Sequence, residues 1–244
     1  MGKKIRVQRR GRGGPTFRAP THKRVAPAKY PTLPKNTSLI RGKVEALLHD
    51  SGRGAPLALI ELENGVKFYT VAPEGLFVGQ NIEIGQSSSI STGNILPIGK
   101  VTEGTTVCNI ELQSGDGGKM VRSSGSYATV VSHTPQGTLV KLPSGKSTYI
   151  NDLCLATIGV IAGTGRTEKP FLTAGRKVKL MASRGRKYPV TKGIAMIAAV
   201  HPHGGGKRAL KPTTISRNAP PGKKVGLIAA RQTGRRKKIR TYLR

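Results

Sequence analysis

Between residues 38 and 165, apolar positions come in short runs broken by Gly, Pro, Asn and Ser, with no sustained helical period. The runs at 39–48 (LIRGKVEALL), 57–63 (LALIELE), 66–71 (VKFYTV) and 78–84 (VGQNIEI) each predict one β-strand. Asn64-Gly65, between the second and third runs, signals a tight hairpin. A second set follows at 105–112 (TTVCNIEL), 127–132 (YATVVS), 138–142 (TLVKL), 147–150 (STYI) and 153–162, with Pro143-Ser144-Gly145 as the sharpest turn. Strands this short close most readily into small antiparallel barrels. Residues 114–118 (SGDGG) form a backbone-rich loop of the kind that closes against a phosphate or another loop. Two barrels of under ~80 residues each are marginal alone, so a large bound surface is expected to add stability.

The two ends have a different texture. Pro15, Pro20, Pro27, Pro31 and Pro34 punctuate the first stretch, which is expected to be an extended arm that orders against a partner. Past Gly163 the chain is again rich in Gly, Lys and Arg, with one short apolar run at 194–200, and is expected to form a second arm. The predicted organisation is an N-terminal arm at 1–35, one barrel at 36–84, a second at 85–165 and a basic extension at 166–244.

Charge sharpens this division. The net charge is +31, from 42 Lys and Arg against 11 Asp and Glu. Residues 1–30 hold ten basic residues and no acid, and residues 31–165 balance ten against ten. Residues 166–244 hold 22 basic residues and one acid, Glu168. The middle therefore carries the balance of an ordinary folded domain, and the ends carry the whole excess. Such ends call for a polyanion. Their basic residues are interleaved with Gly, Pro, Ser and Thr, as at Gly206-Lys207-Arg208, Arg217-Asn218 and Lys223-Lys224. That pattern suits a chain threading among folded RNA helices, where amides and guanidinium forks meet phosphates. The many glycines argue against a continuous helix in a DNA groove, and 4% aromatic residues argue against a single-strand stacking module.

Catalytic signatures fail on inspection. His201 and His203 flank Pro202, but no third ligand stands near them in sequence, so a zinc site is not expected. No G-x-S-x-G motif occurs. The Gly-rich run from Gly159 to Gly165 misses phosphate-loop spacing by one residue and has Arg166 where Lys is required. Cys108 and Cys154 lack C-x-x-C spacing and are expected to be buried, inert thiols. No apolar run reaches the ~18 residues of a membrane span. The first residues lack the apolar stretch of a signal peptide. Arg6 stands where a myristoylation signal needs Ser or Thr.

Several motifs carry a family resemblance. The stretch KGIAMIAAVHPHGGGKR (192–208) and the following KPTTISRNAPPGKKVG resemble the C-terminal arm of the universal large-subunit ribosomal protein L-two family, in its archaeal or eukaryotic-like form. RRGRGGPTFRAPTHKR near the start is similar to the same family, as are APEG (72–75), GDGGK (115–119), KLPSGK (141–146) and GRTEKP (165–170). The motifs keep the family's order over nearly the whole chain. The resemblance implies a mostly β fold, with an oligonucleotide-binding (OB) barrel followed by an SH3-like barrel and irregular basic extensions. It implies a non-enzymatic, primary binder of large-subunit ribosomal RNA in the cytoplasmic ribosome. Such a protein supports subunit assembly and association, tRNA binding and the architecture around the peptidyl transferase centre.

The implied partners are ribosomal RNA, neighbouring ribosomal proteins and small-subunit RNA at the interface, with no membrane, small-molecule substrate or cofactor beyond magnesium accompanying the RNA. Candidate RNA contacts in the first arm are Arg9, Arg10, Arg12, Arg18, His22, Lys23 and Arg24. Lys119, Arg166, Arg184, Arg186 and Lys187 follow. Around the HPHGGG stretch they are His201, His203, Gly204, Gly205, Gly206, Lys207, Arg208 and Lys211. The last are Arg217, Asn218, Lys223, Lys224, Arg231, Arg235 and Arg236. His201 corresponds to a histidine discussed in this family as a contributor to peptide-bond formation. The family pattern M-N-x-V-D-H-P has here Ile197 and Val200 in place of Asn and Asp. His201 thus lacks the carboxylate neighbour that would raise its pKa, which favours a scaffolding role.

Overall fold

A computed structural model describes residues 2–32, 38–206 and 214–230. The chain forms two compact units, one of Pro20–Leu172 and one combining Met1–Ala19 with Thr173–Arg244.

The first of these is built on a single ladder. Its strands are β1 (Ile40–Leu48), β2 (Leu57–Leu62), β3 (Lys67–Val71), β4 (Asn81–Ile84), β5 (Ile95–Pro97), β6 (Thr106–Cys108), β7 (Ala128–Thr134), β8 (Gly137–Lys141), β9 (Ser147–Ile150) and β10 (Leu155–Ile158). They run in the order β3-β2-β1-β4-β5-β10-β6-β7-β8-β9. The unit is mostly β, in keeping with an OB barrel followed by an SH3-like barrel. Every strand predicted above is present. The hairpin at Asn64-Gly65 forms, with Gly65 at φ +79° and the Leu62 amide donating to Val66 O. The turn at Pro143-Ser144-Gly145 repeats this pattern, with Gly145 at φ +80° and Leu142 N donating to Lys146 O.

Alternation along the strands fills two cores and a seam between them. One core gathers Val44, Ala58, Ile60, Leu62, Phe68, Ile82, Ile84 and Ile95. The other gathers Leu96, Ile98, Val107, Ile110, Val130, Val140, Ile150 and Ala156. The seam joins Leu57 and Val71 to Cys108 and Ile161, so residues far apart in sequence are buried together. Each fully buried Leu or Ile contributes about 1.5–3 kcal/mol. Cys108 and Cys154 are free buried thiols, pushed by burial up to about 12 and about 11 respectively. At those values they stay protonated and unreactive.

The N-terminal segment enters this unit earlier than its prolines suggest. Ala28 and Tyr30 are buried. Lys29 N donates to Tyr69 O, Tyr30 N donates to Gly117 O, and Arg122 donates to Ala28 O at 2.6 Å. The Tyr30 hydroxyl donates to Asn109 O at 2.7 Å and lies 2.6 Å from Thr157 Oγ1, which leaves Thr157 as the donor of the second bond. Burial holds the Tyr30 phenol well above its usual pKa of 10.0, so it stays neutral. Arg122 and Tyr30 pin residues 28–30 to the barrels, and upstream a short helix at Arg6–Gly11 and a turn at Pro15–Phe17 replace part of the expected extended arm.

Among its described residues the second unit is largely irregular, with two short helices, α1 (Arg6–Gly11) and α2 (Ala174–Ser183), and a two-stranded parallel pair, β11 (Thr214–Ile215) and β12 (Leu227–Ile228). The helix α1 fits upstream of Pro15, where no ring interrupts it, and Gln8 Oε1 accepts from Ile5 N at 3.0 Å. The helix α2 tolerates Gly175 because Ala174, Arg176, Lys177, Lys179, Leu180 and Met181 are all good helix formers. From sequence that stretch is expected to be part of the second basic arm. Among the described residues no helix is long and apolar enough to cross a membrane.

Candidate nucleic-acid interface

In the second unit, Arg9 and Arg12 lie three residues apart, at the end of α1 and at its C-cap. That spacing puts them on one helical face. With Lys187 and Phe17 they line a cleft of about 300 Å³. A second cleft of about 540 Å³ is lined by Lys3, Lys4 and Lys223, among others. Neither cleft has an acidic residue in its wall. Arg10, Arg18, Arg184, Arg186, Arg217 and Asn218 are exposed around the unit, and Lys224 is half-buried. The helix α2 adds Arg176 and Lys179, both exposed; Lys177 lies 5.1 Å over the ring of Tyr188.

The HPHGGG stretch is a compact turn. Gly204 is buried against backbone: a Cβ there would sit 2.5 Å from Met196 O. Its amide donates to His201 O at 2.9 Å, and Gly205 N donates to Met196 O at 3.0 Å. Gly205 and Gly206 are exposed at φ +75° and +76°. The His201 ring packs on Gly193, where any side chain would collide with it. His201 Nδ1 accepts from His203 N at 3.0 Å, and the two rings meet edge-on at 5.2 Å. His201 therefore carries its proton on Nε2 when neutral. Burial, His203 and then Arg6 hold its pKa below the usual 6.5. Among the described residues, no group of three His, Cys, Asp or Glu side chains is placed to hold a metal.

A folded pKa below the unfolded one means that protonation favours unfolding. This turn should thus be most stable above about pH 6.5 and lose that contribution as pH falls through the folded value. An NMR titration of His201 should give a midpoint below 6.5, moving upward in His203→Ala. A midpoint above 6.5 would contradict the arrangement.

In the β unit, arginines from three separate segments meet at one loop. The Arg24 guanidinium lies on Gly52 and that of Arg166 on Gly54, where a Cβ would come within 2.5 Å of the Arg166 Nη2 atom. Arg53 stands between these glycines, with its Nε 3.0 Å from Asp50 Oδ2. Asp50, fully buried, also accepts from Gly52 N at 2.9 Å. Three arginines thus meet one loop, and Arg53 is the one paired with the Asp50 carboxylate. Lys119, exposed, is 3.3 Å from the half-buried Asp116. His22 and Lys23 are exposed.

The SGDGG loop departs from the phosphate expectation. Its amides turn inward: Gly115 N and Gly117 N donate to buried Glu111, and Gly118 N donates to Asp116. The loop closes on its own carboxylates and on Tyr30. Lys207, Arg208, Lys211, Arg231, Arg235 and Arg236 lie outside the described residues. Lys3, Lys4, Arg53, Arg176 and Lys179 were not singled out from sequence. Only the basic composition of the ends pointed to four of them, and nothing local marked Arg53.

A chain that joins a β-barrel unit to a cationic unit free of Asp and Glu defines a β-rich protein suited to a polyanion. Residues 2–84 match the family described as Ribosomal Proteins L2, RNA binding N-terminal domain, and residues 91–225 match Ribosomal Proteins L2, C-terminal domain. The large ribosomal subunit protein uL2 of Korarchaeum cryptofilum is 50% identical over 240 residues, which cover 98% of each chain. That of Hyperthermus butylicus is 51% identical over 240 residues, covering 98% of this chain and 100% of its own. That of Methanothermobacter thermautotrophicus is 46% identical over 241 residues, covering 97% and 100%. The chain belongs to the ribosomal protein L2 family.

Proposed function

We propose that this chain is a structural, RNA-binding constituent of the large ribosomal subunit in the cytoplasm. One observation carries the reading: the unit formed by Met1–Ala19 and Thr173–Arg244 contains no Asp or Glu at all, yet folds cationic residues around two clefts. Like charges gathered without any carboxylate need an external polyanion to balance them. Irregular backbone with fixed turns suits the crowded phosphates of folded RNA better than a regular groove. The barrel unit adds the Arg24, Arg53 and Arg166 cluster as a further phosphate contact.

In this reading the candidate residues named from sequence meet ribosomal RNA, and neighbouring ribosomal proteins cover part of the barrels. The HPHGGG turn serves as a rigid scaffold near the peptidyl transferase centre, with His201 neutral and engaged through Nδ1. Contact with small-subunit RNA, support of tRNA binding and subunit association belong to the same reading. Magnesium enters with the RNA, and the chain itself needs no cofactor.

Replacing Lys207, Arg208 and Lys211 together by Ala should depress the yield of complete large subunits in particle profiles. Replacing Cys108 and Cys154 by Ala should leave a milder defect, confined to chain stability. Equal profiles for the two sets would refute the assignment. Competition separates a general nucleic-acid binder: unrelated RNA and duplex DNA should displace large-subunit RNA poorly at physiological salt.

A further inference from the structure

We propose that the cleft between α1 and Lys187 holds one unstacked RNA nucleotide, with its base on the ring of Phe17 and its phosphate among Arg9, Arg12 and Lys187. The inference rests on the RNA-binding reading above and names what this part of the surface takes.

The ring is set for stacking. The turn Pro15–Phe17 fixes it, with Phe17 N donating to Gly14 O at 2.8 Å. Gly185 packs on the backbone of this turn, where a Cβ would sit 2.8 Å from Phe17 O and 2.7 Å from Ala19 N. A Cβ on Gly13 or Gly14 would meet nothing within 4 Å, so the chain just upstream of this turn is uncrowded. The ring is half-buried and lines the cleft. Tyr188, the other Phe, Tyr or Trp among the described residues of this unit, is covered by Lys177. Phe17 alone of the two offers a face within a ring of cations.

The charges suit a nucleotide. Arg9 on α1 and Arg12 at its C-cap share one face, Lys187 closes the wall, and the unit holds no Asp or Glu to neutralise them. A bare phosphate would use the cations and leave the ring idle. A base in an A-form duplex is stacked on its neighbours and out of reach, so the nucleotide must be splayed from a loop or bulge. Aromatic stacking accepts any base, while the guanidinium groups and the ammonium hold its phosphate. The volume of about 300 Å³ leaves room for one nucleotide.

Zero-length ultraviolet cross-linking of the full chain to large-subunit RNA, read by mass spectrometry of the Phe17 peptide and by primer extension on the RNA, tests this. The expected result is a cross-link from Phe17 to one nucleotide that is unpaired by chemical probing. Phe17→Leu should lower its yield about tenfold, while Phe17→Tyr should keep it. Arg9→Ala with Arg12→Ala should also lower it, with the ring intact. Filter retention of the RNA should persist in every variant; its loss in the unsubstituted chain would sink the RNA-binding reading itself. With RNA retained, the proposal is overturned by no cross-link at Phe17, by equal yields in Phe17→Leu, or by a cross-link to a paired nucleotide.

Discussion

Raising the salt from about 50 to about 200 mM should weaken binding of the full chain to large-subunit RNA by about 10³- to 10⁵-fold. Each phosphate neutralised releases condensed counterions, and six to ten such contacts, roughly, suffice for that loss. The chain supplies them readily. Arg9, Arg12 and Lys187 gather at one cleft, Lys3, Lys4 and Lys223 at another, and Arg24, Arg53 and Arg166 at the barrel loop. Removing Arg24 and Arg166 should lower the slope of log affinity against log salt by about two, since each contact contributes roughly one. A nearly flat slope would mean that the cations are solvated decoration.

Glu111→Ala should cost roughly 4–6 kcal/mol of folding stability, because one buried carboxylate satisfies three backbone donors. Gly115 N and Leu155 N donate to Oε2 at 3.1 and 2.9 Å, and Gly117 N donates to Oε1 at 2.9 Å. The residue thereby ties the SGDGG loop to β10 and, through Gly117 O, to Tyr30 N. Its removal leaves polar groups without partners at the place where the N-terminal segment joins the barrels. Against a usual stability of about 5–15 kcal/mol, that is a large fraction. The urea midpoint, followed by circular dichroism, should fall by about 2 M. Glu111→Gln keeps the shape and one acceptor, so it should lose about half as much. An alanine variant within 1 kcal/mol of the parent, roughly, would show that water replaces the carboxylate.

Much of the β unit was legible because its strands alternate and its turns use Gly at φ > 0. The errors have local causes. The run at 105–112 ends as a strand at Cys108 because Asn109 takes φ +47°, and the run at 153–162 ends at Ile158 because Gly159 takes φ +116°. The strand β5 escaped notice because it has three residues, the last a proline. The family was legible from motif order, and the phosphate-binding character from charge.

What sequence could not show were the meetings across the chain. Tyr30 reads as an arm residue until its hydroxyl is seen between Asn109 and Thr157. Gly52 and Gly54 read as turn formers until Arg24 and Arg166 are seen lying on them. The SGDGG amides read as an anion nest until Glu111, upstream in the chain, is seen to fill them. In each case the deciding contact joins residues whose spacing carries no periodic signal.

The most direct test of the central claim is sedimentation of the tagged full chain from cell extract, before and after a high-salt wash. Held at many phosphates, the chain should travel with the large subunit at low salt and be released progressively as the salt of the wash rises. Recovery at the top of the gradient already at low salt, or spread across messenger RNA and DNA fractions alike, would contradict the account.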